Sequence, residues 1–151
     1  DDITNGTIVN ADFANTTIAR NRVATGVLRS ILTAGTSAAN SAATFIGPAG
    51  HNGTEVNVST HMAYACTAKN LRVKLSADVG AVGNDMVVTL RNNAAGTVVT
   101  CTVTGAGGTE DNCADTGNSV ALAAGDLVAV GLAITGTPAS TFQKVSFECA
   151  I

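Results

Sequence analysis

Four cysteines, two histidines and a handful of acids are the side chains in this sequence whose types could do chemistry. Cys66, Cys101, Cys113 and Cys149 lack C-x-x-C spacing, which argues against a zinc site. Cys101 and Cys113 bracket the turn-rich residues 104–112. A disulfide between them would close a short hairpin loop and contribute about 3 kcal/mol if unstrained. That leaves Cys66 to pair with Cys149. The other reading is four free, buried thiols, because cysteine packs as a small hydrophobe. Disulfides would place the chain in an extracellular or virion setting.

Nucleophilic catalysis needs a base beside the nucleophile, normally a histidine oriented by a carboxylate. His51 falls in the turn-like Gly50-His51-Asn52-Gly53, and His61 falls in the middle of an expected strand. Both read as ordinary residues, and the H-x-x-x-H spacing of a metal site is missing. Glu110, Asp111, Asn112 and Asp115 could offer oxygen ligands to Ca²⁺, but without the spaced repeat of a calcium loop they read as a solvated acidic loop. Glu148 is the one strand acid with clear outward alternation, whereas glycoside hydrolysis needs two acids across a groove. Gly105-Ala106-Gly107-Gly108 has neither the following Lys-Ser/Thr nor the helix of a phosphate cradle. The expectation is a protein that is not an enzyme and that carries no metal or cofactor.

The elements that would position these residues are strands. The chain of 151 residues suits one domain with a short appendage. Aromatics are only 3 %, so the core must be built from Val, Leu, Ile and Ala; sixteen Gly with abundant Thr and Asn favour strands and tight turns. From Val23 onward short strand signals alternate with turn signals. Strands are expected over residues 23–33, 43–46, 56–64, 70–77, 86–91, 97–104, 119–122, 127–135 and 142–149, a set read as about eight strands. Leu71, Val73 and Leu75 alternate with Arg72 and Lys74, which puts the apolar chains in the core and the cations in water. The same alternation groups Met86, Val88 and Leu90, then Val99, Cys101 and Val103, then Val145, Phe147 and Cys149. Residues 127–135 are apolar on both faces and so read as a central strand. The expected fold is an all-β, antiparallel two-sheet sandwich over residues 23–151.

Residues 1–22 read differently, as an extended N-terminal arm. Ile3, Ile8, Phe13 and Ile18 recur at a spacing of five, which keeps no single face in a helix or a flat strand. An arm that docks each large side chain into a neighbouring subunit would explain the spacing; a frayed terminal tail is the other reading. The sequence opens at Asp1 rather than Met, which points to a processed chain or a piece of something longer.

The runs Leu71-Arg72-Val73-Lys74-Leu75, Val87-Val88-Thr89-Leu90-Arg91-Asn92-Asn93 and Ala123-Ala124-Gly125-Asp126-Leu127-Val128-Ala129-Val130 resemble the strand pattern of C1q/TNF-like jelly-roll heads. Such heads occur in phage fibre knobs, head-decoration proteins and bacterial surface proteins. The stretch from Ile3 to Asp12 is similar to shaft segments of phage tail fibres. The resemblance implies a jelly-roll fold and a homotrimer, while the near-absence of aromatics departs from the mammalian members.

Partners follow from charge and surface. The net charge is −3, and no basic stripe is evident along the chain, so nucleic acid is not expected. No apolar run reaches the 18 or so residues of a membrane span. The expected function is that of a structural surface protein of a larger assembly: a trimeric phage decoration or fibre protein held by its arm, or else a subunit of a secreted filament or surface layer. A sugar-binding module ranks below both, because sugar platforms usually need exposed aromatics. The expected location is the virion surface or the cell exterior.

Overall fold

The computed structural model describes residues 29–37, 44–48, 50–107, 111–138 and 142–151, with side chains for all of these except 29–37 and Phe142. Ten strands lie among them: β1 (Arg29–Ser37), β2 (Thr44–Gly47), β3 (Gly50–Asn52), β4 (Thr60–His61), β5 (Cys66–Leu75), β6 (Asp85–Asn92), β7 (Ala95–Thr104), β8 (Asn112–Leu122), β9 (Leu127–Thr135) and β10 (Phe142–Ala150). One sheet has the order β1-β10-β5-β8. The other has the order β3-β2-β9-β6-β7, with β4 also pairing β9. Every pairing is antiparallel, and the two sheets pack face to face as a β-sandwich.

Period-two alternation builds the core. Leu71, Val73 and Leu75 on β5, Met86, Val88 and Leu90 on β6, and Val99, Cys101 and Val103 on β7 are all buried. Val145, Phe147 and Cys149 on β10 join them, and Val128, Val130 and Leu132 come from β9. Burying each such aliphatic side chain contributes about 1.5–3 kcal/mol. Strand β9 is central, as its two apolar faces suggest: β6 pairs it on one side, and β2 and β4 pair it on the other. Asn93 and Ala94 join β6 to β7 with φ of 49° and 64°, the left-handed pair that a two-residue hairpin turn of matching twist requires.

Four expectations need correction. Residues 56–64 are not one strand: a 3₁₀ turn, Glu55–Asn57, precedes the two-residue β4. The Glu55 carbonyl accepts the N–H groups of Val58 and Ser59 and the Ser59 hydroxyl, which winds the chain locally and leaves Val56 67 % exposed. His51 lies on β3 opposite Ile46, rather than in a turn. Strand β8 begins at Asn112, well before the expected residue 119, because its partner β5 sets its length.

The fourth correction concerns the path between β7 and β8. Cys101 and Cys113 do not close a hairpin. Strand β7 is the edge of the five-strand path in one sheet, and β8 is the edge of the other sheet. The chain therefore crosses from sheet to sheet between them.

Candidate functional site

The seam where β7 faces β8 is the most elaborately built polar feature among the described residues. The Cys101–Cys113 disulfide spans it, with a Cα–Cα distance of 5.8 Å. Beside it sits Asp115, 7 % exposed. One carboxylate oxygen accepts the backbone N–H of Thr100 at 3.0 Å and the side-chain amide of Asn118 at 3.0 Å. The other accepts the N–H groups of Gly117 at 3.2 Å and Asn118 at 3.1 Å. The Asn118 amide, with the backbone donors of Asn118, Thr100 and Gly117, holds the Asp115 carboxyl below its ordinary value against the opposing effect of burial. Residues 116–118 wrap this carboxylate, and the register shift between β5 and β8 falls at the same place.

This geometry disperses the expected acidic loop. Asp115 is a buried strand residue. Asp111 pairs with Lys74, and the Asn112 amide and Lys74 lower its carboxyl. Glu110 lies outside the described residues. Among the described residues no three His, Cys, Asp or Glu side chains stand close enough to hold a metal ion. His61 is exposed on β4, with Nδ1 3.2 Å from the Gly125 carbonyl oxygen.

The second disulfide, Cys66–Cys149, joins neighbouring strands β5 and β10 of one sheet at a Cα–Cα distance of 5.5 Å. A further carboxylate, Asp126, gathers the Ala123 N–H and the side-chain amides of Asn92 and Asn93. These donors, led by Ala123, lower its carboxyl and tie the β8–β9 turn to the β6–β7 turn. The arm residues Ile3, Ile8, Phe13 and Ile18 lie outside the described residues.

The two outer faces differ in chemistry. On the larger sheet, register places Ala133, Val87 and Thr102 in one row and Phe45, Gly131, Thr89 and Thr100 in the next. Val98 stands beside them, 61 % exposed. This band is uncharged, and Asp85 and Arg91 bound it at its two ends. Arg91 is packed down at its end: its guanidinium lies 5.2 Å from the centroid of the Phe45 ring, and its Nε donates to Glu55 at 2.8 Å. Gly131 makes room for it, since a Cβ there would stand 2.7 Å from the Arg91 Cδ.

On the smaller sheet, Lys69, Arg72 and Lys74 of β5 and Lys144, Ser146 and Glu148 of β10 point outward. Lys144 is directly opposite Lys74, Ser146 opposite Arg72, and Glu148 opposite Lys69. The Glu148 carboxylate accepts the Asn70 amide at 2.9 Å. The basic stripe that sequence reading did not find is formed here by strand register. Asp115 was also placed wrongly, although Asp115-Thr116-Gly117-Asn118 carries a local signal: an aspartate that can bond backbone N–H groups two and three residues on.

The chain matches no protein-family profile and no curated protein. No helix among the described residues is long and apolar enough to cross a membrane.

Proposed function

We propose that this chain is a non-enzymatic structural subunit on the outside of a larger assembly: a trimeric phage decoration or fibre protein of the jelly-roll kind, anchored by residues 1–18. The observation that supports this best is the uncharged band on the outer face of β9, β6 and β7. Thr, Val, Ala and Gly side chains there form a surface with little desolvation cost and little side-chain entropy to lose on contact. Such a face suits burial against another copy, and closed homo-oligomers are the common outcome of such contacts.

The described polar clusters serve the fold: Asp115 and Asp126 are consumed in hydrogen bonds that tie turns and sheet edges together. The two disulfides favour an oxidising setting. They also favour a second reading, a subunit of a secreted filament, in which the arm adds as a strand to a neighbour's sheet edge.

Electron microscopy of the source assembly, with antibody against this chain, tests the proposal. Regular labelling of a shell or spike is expected, and labelling along filaments would select the second reading. Deleting residues 1–18 should leave a folded sandwich that no longer joins the assembly. Label confined to soluble material, or normal incorporation of the truncated chain, would overturn the proposal.

A further inference from the structure

Cations are scarce in this chain: eight Lys and Arg in 151 residues. Five of them have described side chains, and four of the five, Lys69, Arg72, Lys74 and Lys144, share the outer face of β5 and β10. Lys74 and Lys144 are directly opposed, an arrangement that costs a sheet stability when the charges are alike. Only Lys74 has an acidic partner among the described residues, Asp111; Lys69, Arg72 and Lys144 form no ion pair there. The face sets four cations against two acids, Glu148 and Asp111, a net positive patch on a chain of net charge −3. An anion that covers it would offset the opposition of Lys74 and Lys144.

We propose that this face binds an acidic polysaccharide, one bearing carboxylate or sulfate groups along an extended chain. Cations at alternate positions of a strand recur at about 6.6–6.8 Å, so Arg72 and Lys74 offer a charge ladder that a linear polyanion can follow. Beside the ladder lies a cleft of about 210 Å³ lined by Asn70, Arg72, Ser146, Phe147 and Glu148. Its amide, hydroxyl and carboxylate groups are suited to sugar hydroxyls. Single-stranded nucleic acid calls for aromatic stacking platforms, and no described aromatic side chain is exposed. The same lack disfavours neutral sugars, which leaves charge as the means of recognition.

The test measures binding of the full oxidised chain to immobilised heparin, polygalacturonate and uncharged dextran, with a single-stranded oligothymidine in parallel. Heparin or polygalacturonate should bind and be released by salt, and dextran should not bind. The double variant Arg72→Gln, Lys144→Gln should bind about tenfold more weakly, the scale of two exposed charge contacts. Its unfolding midpoint should be unchanged or raised, because an opposed like-charge pair is gone. Arg91→Gln should leave binding within about twofold, since that charge lies on β6 of the other sheet. The proposal is overturned if neither polyanion binds, if the face variant binds like the parent, if the Arg91 variant loses binding instead, or if oligothymidine binds as tightly as the polysaccharides.

Discussion

The Asp115 carboxylate on β8 accepts the backbone N–H of Thr100 on β7 at 3.0 Å, joining the edge strands of two different sheets. Neither strand pairs with the other, so this bond and the adjacent Cys101–Cys113 bridge hold the sandwich closed along that side. Three more donors from the β8 turn converge on the same carboxylate.

Replacing Asp115 with Ala removes the acceptor and leaves those donors unsatisfied in a buried place. A loss of about 1–3 kcal/mol is expected, the cost of an unmet buried polar group. Urea unfolding of Asp115→Ala against the parent measures it. An unchanged midpoint would mean that water replaces the carboxylate without loss.

The same carboxylate makes the seam sensitive to acid. Its folded pKa is depressed by the Asn118 amide and the backbone donors. The stability it contributes is therefore complete above the unfolded carboxylate value, about 3.9, and is lost as pH falls through the lower folded value. Asp126 and Asp111 are shifted in the same direction. Unfolding midpoints taken between neutral pH and pH 2 should fall on the acid side, and Asp115→Asn should flatten that fall. An acid limb identical in parent and variant would show that Asp115 does not set the acid sensitivity.

The bridges are expected to differ in weight. Cys66 and Cys149 are 83 residues apart and Cys101 and Cys113 are 12 apart. Loop-closure entropy then favours the first, at about 4–5 kcal/mol against about 3 kcal/mol. Paired Cys→Ser variants compared by denaturant unfolding report each value, and mass spectrometry of non-reduced peptides reports the pairing. Four free thiols, or a Cys66–Cys101 link, would contradict it.

Much of the sandwich was readable from alternation. On β5, β6, β7 and β10 the apolar side chains recur at every second residue, and the structure buries them. Strand β8 gave no such signal: Ala114, Thr116, Gly117 and Asn118 carry no apolar face, and the strand exists because β5 lends it hydrogen bonds. Residues 56–64 begin with a false one. Val56 and Val58 alternate as a strand would, but the carbonyl of Glu55 captures the following N–H groups and turns the chain. The basic face needed tertiary register, since nothing local places Lys144 opposite Lys74. The bridge between Cys101 and Cys113 joins two sheets and not the arms of a hairpin, and spacing alone does not reveal a change of sheet.

Gly47 tests the seating of the 3₁₀ segment on β2. A Cβ there would fall 1.7 Å from the Val58 carbonyl oxygen, a backbone atom that cannot rotate away. Gly47→Ala should cost about 3 kcal/mol or more, the upper end of overpacking. Thermal unfolding measures it, and a cost below about 1 kcal/mol would show that the segment moves freely.

Light scattering on the purified, oxidised full chain at micromolar concentration tests most directly whether this is an assembly subunit. A mass three times that of the 15.0 kDa chain is expected, reduced to one chain by Val98→Lys with Thr102→Lys on the uncharged band while the sandwich stays folded. A parent that remains a single chain under those conditions would contradict it.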